Sequence, residues 1–274
     1  MYDISIIMPA IRTHKWDDMY DSILKSCKQH TFELILCGPF PLTEKLNKLS
    51  NVKWIQDYGS PSRCTNIALL EAKSKLCAHL VDDALFTENS LDDAIEQYDA
   101  FCTYKDVINL RYTEDHGHRG NFHLFGIEYF TAGTHPIYHL PGIPRNLFIA
   151  PHHIINTDYL KSLGGYDCIN YEYQNHNLSD LMFRIQYDGG KIYHSHNIVS
   201  NCDWIIGGEH QPVGDAFDLN DTPRFREMFS TVDAIQQRFG KVNLDDWKNS
   251  PKIWKRRFGQ FGDELPKKFE ELKY

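Results

Sequence analysis

Ile4-Ser5-Ile6-Ile7-Met8-Pro9-Ala10-Ile11-Arg12 decides how the whole chain is read. The run from Ile4 to Met8 is apolar and stops at Pro9, which is the mark of a buried strand. A segment with Met19, Ile23 and Cys27 at helical spacing follows, from Trp16 to Cys27. Phe32 to Cys37 is a second buried strand that ends at Gly38-Pro39, and Val52 to Ile55 is a short third. Ser62 to Leu76 reads as a helix with Ile67, Leu70 and Leu76 inward, and Cys77 to Val81 as the fourth strand. Ser90-x-x-Asp93 has the form of a capping box and opens a helix to about Phe101. Strands alternating with helices in this way build a parallel sheet covered on both faces, so the fold class is α/β.

After about residue 104 the pattern changes to short strands broken by Gly and Pro, with histidines concentrated between 116 and 153. Asn156 or Thr157 caps a short helix that ends at Gly164-Gly165, and a further helix over about 177 to 187 is closed by Gly189-Gly190. The chain beyond 221 is polar and helical, with breaks at Pro251 and Pro266. The expected organisation is a nucleotide-binding half over 1–103, an acceptor-binding half of the same domain over 104–215, and a helical extension over 216–274.

Composition narrows the function classes. The 274 residues carry 29 Lys and Arg against 37 Asp and Glu, a formal charge of −8, which disfavours a polyanion binder held by bulk electrostatics. The basic, aromatic segment Ile253-Trp254-Lys255-Arg256-Arg257-Phe258 reads as a solvated helix with its rings inward, so there is no strong nucleic-acid signal. Seven cysteines without a C-x-x-C pair read as reduced thiols, and no basic n-region precedes the first apolar run. A cytoplasmic protein without a transmembrane segment is the expectation.

In an open α/β sheet ligands bind beyond the carboxyl ends of the strands, so the residues after each strand are read together. They are Pro9-Ala10-Ile11-Arg12, Cys37-Gly38-Pro39, Asp57-Tyr58-Gly59-Ser60 and Asp82-Asp83. Two adjacent carboxylates at the end of an apolar strand repel unless a cation or hydrogen-bond donors compensate them. A divalent ion completed by diphosphate oxygens is the simplest compensation. By contrast Asp92-Asp93, in a helix's first turn, reads as ordinary capping. Gly59-Ser60-Pro61-Ser62-Arg63 precedes a helix, where free N–H groups and an arginine suit a phosphate or ribose. No G-x-G-x-x-G, Walker loop, G-x-S-x-G or H-E-x-x-H occurs, which removes support for dinucleotide, NTPase, serine-hydrolase and zincin chemistry.

Ile4-Ser5-Ile6-Ile7-Met8-Pro9, the Gly-Ser-Pro-Ser-Arg helix start, the strand ending in Asp-Asp, Leu163-Gly164-Gly165-Tyr166-Asp167 and Asp180-Leu181-x-x-Arg184-x-x-x-x-Gly189 follow one another in this order. Over about residues 3 to 210 this resembles a family 2 glycosyltransferase of the GT-A fold. That resemblance implies a Rossmann-like, mixed but mostly parallel sheet flanked by helices, with a helical C-terminal appendage. It implies transfer of a sugar, with inversion, from a nucleoside diphosphate donor, most often uridine diphosphate, to a hydroxyl acceptor, most simply a carbohydrate. Pro9, Ala10, Arg12, Asp57, Gly59, Arg63 and Asp82 would line the donor. Asp83 would ligate Mn²⁺ or Mg²⁺, with His210 as a closing ligand and His196 as second choice; His116, His118 and His123 would fall in an acceptor loop.

Two departures stand out. The second strand ends Leu36-Cys37-Gly38-Pro39 where the family has acidic residues, and Asn177-Leu178 replaces the usual Glu-Asp before the Asp-Leu-x-x-Arg helix. Asp180 is the nearest remaining carboxylate and the candidate base, with Glu172 in reserve. Two rivals remain. A sugar nucleotidyltransferase would bring a Gly-rich basic loop after the first strand, which is missing, and a catalytically silent carbohydrate- or nucleotide-binding protein is the other.

Overall fold

The computed structural model describes residues 2–57, 61–114, 148, 150–166 and 174–202, and leaves the side chains of 114, 174–177, 179 and 180 out of that description. Its strands are β1 (Ile4–Pro9), β2 (Phe32–Gly38), β3 (Val52–Gln56), β4 (Leu76–His79), β5 (Ala84–Phe86), β6 (Val107–Glu114), β7 (His153–Asn156) and β8 (Ile192–Cys202). The helices are α1 (Trp16–Ser26), α2 (Pro61–Glu71), α3 (Ser90–Phe101), α4 (Thr157–Ser162) and α5 (Gln174–Tyr187). All eight strands join one sheet in the order β3-β2-β1-β4-β7-β6-β8-β5.

Parallel pairing joins β1 to β2, β1 to β4, β2 to β3 and β6 to β8, while β4–β7, β6–β7 and β5–β8 run antiparallel. The sheet is therefore mixed with a parallel majority, as expected. It has a core on each face. Ile7, Ile35 and Cys77 face α2, α4 and α5, packing with Cys64, Ala68, Leu160, Leu181 and Met182. Ile4, Ile6 and Met8 face α1 and α3, packing with Trp16, Met19, Ile23, Leu91 and Ile95. Burial of β1 by both layers explains why its sequence shows no polar alternation.

Three local expectations need correction. Helix α2 stops at Glu71 rather than at Leu76. Ala72 still bonds back to Ala68 and Leu69, but the Lys73 and Ser74 amides turn to Glu33 and Ser5, and Leu76 opens β4 opposite Ile4. Its inward face is Cys64, Ala68 and Leu69, whereas Ile67 and Leu70 are only partly covered. The Ser90-x-x-Asp93 box does not form: Asn89, at φ 60°, precedes the helix, and the Ser90 hydroxyl donates to the Thr87 and Val199 carbonyls. Asp92 does not cap its own helix. Its carboxylate takes the Lys28, Gln29 and His30 amides and so closes the turn between α1 and β2.

The short helix before Gly164-Gly165 starts as expected, with Asn156 Oδ1 accepting from the Tyr159 amide at 2.9 Å. Gly164 and Gly165 both take positive φ, 85° and 65°, a left-handed pair that only glycine adopts without strain. The helical extension proposed for 216–274 lies outside the described residues.

Candidate active site

Strand order reverses beside β1: β2 and β3 lie on one side, β4 on the other. The crevice beyond the carboxyl ends of β1 and β4 is therefore the switch point where such sheets bind ligands. Register puts Ile7 opposite His79 and Pro9 opposite Cys37, so the loops after β1, β2 and β4 emerge at one level.

Asp82 is the centre of that crevice and is only 1% exposed. Its Oδ2 accepts from the amides of Ile11 and Arg12, both at 2.7 Å, and from the Trp16 indole at 3.1 Å. Its Oδ1 accepts from the Arg12 guanidinium at 2.5 Å. The same guanidinium stands 3.6 Å from Asp83, which is 9% exposed. Much of the compensation that two neighbouring carboxylates require thus comes from within the chain, from Arg12 and two main-chain amides. Asp82 shapes the β1 loop, and Asp83 is the carboxylate that edges the crevice.

On the β2–β3 side Asp57 and Arg63 form a bidentate pair, with Nε–Oδ1 at 2.8 Å and Nη2–Oδ2 at 2.6 Å, both side chains buried. Gly38 is required there by packing. A Cβ on it would lie 1.8 Å from the Ala10 carbonyl oxygen, so no other residue fits without moving the β1 loop. This is a physical reason for the Cys37-Gly38 ending of β2: the close approach of two strand-end backbones leaves no room for a side chain. The Gly38 carbonyl accepts from the Trp54 indole and the Asp57 amide, which ties β3 to the same corner.

Pro9, Ala10, Arg12, Asp57, Arg63, Asp82 and Asp83 are therefore gathered at one end of the sheet, while Gly59, Glu172 and His210 lie outside the described residues, as do His116, His118 and His123. Asp180 sits in α5 with its side chain outside the description. His196 is exposed on β8 and meets the Phe101 ring edge-on at 6.3 Å. Among the described residues no three His, Cys, Asp or Glu side chains are grouped to hold a metal ion. Of the strand-end pair, Asp82 is engaged by the four donors named above, and Asp83 stands beside the same guanidinium. A hard ion takes six or more oxygen ligands, so the described residues alone do not cage one.

Sequence reasoning missed a buried polar cluster next to the crevice. His79 and His153 stack at 5.3 Å between ring centres, His153 Nε2 lies 3.0 Å from the Tyr166 hydroxyl, and His152 packs on Tyr112 at 4.2 Å. Burial lowers the pKa of all three, His79 to about 4, His152 to about 3 and His153 well below its ordinary value. A histidine inside an otherwise apolar strand, as at His79, was the signal available in the sequence.

Comparison with known proteins bears on the architecture. No protein-family model matches the chain, and no curated protein does. Among solved structures, Staphylococcus aureus TarS residues 1–349 matches with a TM-score of 0.54 at 15% identity, over 98% of this chain and 77% of that one. The complexes of the same protein with UDP and with UDP-GlcNAc match with TM-scores of 0.52 and 0.53, both at 16% identity. The fold is GT-A-like. The likeness at this identity is one of fold, and it agrees with the architecture that the sequence resemblance implied. No described helix is long and apolar enough to cross a membrane.

Proposed function

We propose that the protein is a glycosyltransferase that moves a sugar, with inversion, from a uridine diphosphate donor to a hydroxyl acceptor. One observation carries the reading: in a GT-A-like sheet, Arg12, Asp82 and Asp83 converge at the switch point between β1 and β4. The UDP and UDP-GlcNAc complexes of the structurally similar TarS support a uridine donor. Asp83 would hold Mn²⁺ or Mg²⁺ together with the donor diphosphate, and His210 would complete the ligand set. Such an ion, when bound, neutralises charge on the departing diphosphate.

The chain's own residues account for the rest of the chemistry. Asp82 holds the Ile11–Arg12 turn, and the turn presents its arginine to the crevice. The acceptor hydroxyl attacks the anomeric carbon from the face opposite the leaving group as the bond to the diphosphate oxygen breaks. Asp180, with Glu172 as reserve, takes the hydroxyl proton. A reducing, cytoplasmic setting belongs to the same reading, supported by the six cysteines among the described residues, which are all free thiols, five of them buried.

UDP titrated calorimetrically into wild type and Asp83→Ala, each with and without Mn²⁺, tests the donor and metal sites. Binding that depends on Mn²⁺ in wild type and loses that dependence in the variant is expected; equal binding in all four titrations overturns the assignment. Asp180→Asn should keep UDP affinity and lose transfer by roughly 100-fold or more, and full activity would pass the role to Glu172. A second reading has its own observation. Leu178, which occupies the place of a carboxylate in the resemblance, is 4% exposed and packs into the core with Leu181 and Met182. That favours a silent nucleotide- or carbohydrate-binding protein. Mass spectrometry over a panel of sugar nucleotides separates the two, because a transferase slowly hydrolyses its donor and a silent binder leaves every one intact.

A further inference from the structure

We infer that Arg184, Asn66 and His153 are positioning residues that fix the Leu163–Tyr166 turn, and so fix Tyr166 relative to the carboxylate-bearing end of β4. The role in turnover rests on the transferase reading above.

Four elements grip this one turn. Arg184, fully buried on α5, donates from Nη1 to the Leu163 carbonyl at 2.6 Å and from Nη2 to the Gly165 carbonyl at 2.7 Å. The left-handed pair Gly164-Gly165 makes this possible by turning the end of α4 back on itself, while the Leu163, Gly164 and Gly165 amides bond to Tyr159, Lys161 and Leu160. Asn66, fully buried on α2, accepts the Tyr166 amide at 3.1 Å. His153 on β7 fixes the other end of the same tyrosine. Its Nδ1–H faces the Ala150 carbonyl at 2.9 Å, which leaves Nε2 as the lone pair that accepts the Tyr166 hydroxyl at 3.0 Å. The Tyr166 ring lies 5.4 Å from that of His79, three residues before Asp82 on the chain leaving β4.

A turn that needed only to end a short helix would not require a fully buried arginine, a buried amide and a buried imidazole from three other elements. Burying such groups is costly unless they make their bonds, so the bonds of Arg184, His153 and the Asn66 oxygen specify one geometry, although the buried Asn66 Nδ2 makes none. Asn66 also lies one helical turn after Arg63, the partner of Asp57, so α2 joins the turn to the β3 side of the crevice as β4 joins it to Asp82.

Arg184→Lys and Tyr166→Phe test this. A lysine ammonium replaces the planar fork with a point charge that does not span both carbonyls, and phenylalanine removes only the hydroxyl. Both variants, checked for folding by circular dichroism, are compared with wild type by hydrogen exchange, UDP affinity and donor turnover. Exchange of the 163–166 amides is expected to rise roughly tenfold or more, as loss of a buried partner dictates. UDP affinity and donor KM should stay unchanged while kcat falls roughly 100-fold, the effect of a small misplacement. Unchanged exchange in both variants overturns the inference. Raised exchange with unchanged kcat overturns the positioning role and leaves a structural one. If wild type turns over no donor, the transferase reading fails instead, and exchange still decides whether these side chains fix the turn.

Discussion

Asp82 and Asp83 are neighbours in the chain with different work to do. Asp82 is sealed by two amides, an indole and a guanidinium, and Asp83 stands 3.6 Å from the same guanidinium. Removing the Asp82 carboxylate leaves the buried Trp16 indole and the part-buried Ile11 and Arg12 amides without this acceptor, so Asp82→Ala should lower unfolding stability by roughly 3 kcal/mol in urea titration. An unchanged urea midpoint for Asp82→Ala would mean that this carboxylate does not hold the β1 loop. The pair was legible in the sequence as a candidate site, but which aspartate was structural was not. The amides of Ile11 and Arg12 come from a loop some seventy residues away, and only folding brings them to one side chain.

At the scale of elements, local pattern determines strands and helices where a single layer decides them, and fails where two elements compete for one residue. Leu76 fits a helical face by spacing, yet it pairs with Ile4 in the sheet, because a buried ladder position outweighs one more helical turn. Ser90 and Asp92 look like caps by pattern, yet their oxygens serve the β8 backbone and the turn after α1. Asn156 is a cap by both pattern and geometry. Asn156→Ala should cost about 1 kcal/mol, measured as a shift in thermal midpoint, and no shift would mean that α4 owes its start to packing alone. The Gly164-Gly165 pair ends its helix, as the sequence pattern predicts. That its carbonyls would be taken up by Arg184 depended on where α5 packs, and no local pattern encodes that.

For the molecule as a whole, the buried histidines predict how stability varies with pH. His79, His152 and His153 stay neutral in the folded chain because burial disfavours the imidazolium, and for His152 and His153 a neighbouring His79 adds to the effect. Unfolded, each charges near its ordinary value of 6.5. Between that pH and about 4 the unfolded chain binds more protons, so stability is fully present above 6.5 and is lost as pH falls. Each histidine in this state removes about 1.4 kcal/mol per pH unit across the window. The urea midpoint should therefore drop steeply between about pH 6.5 and pH 5, and His79→Gln should flatten the slope; a midpoint that holds constant would mean that the cluster charges within the fold.

By itself the sequence determined the α/β class, the strand ends that meet at the switch point and the glycine-ended helix before residue 167, because each follows from periodicity or backbone conformation within a few residues. Tertiary structure alone decided that Arg12 offsets the paired carboxylates, that Gly38 answers to the Ala10 backbone and that His79, His153 and Arg184 converge near one turn. These depend on which distant segments share a buried volume. Burial sets that company, since a polar group removed from water must find its partner wherever the fold has placed one.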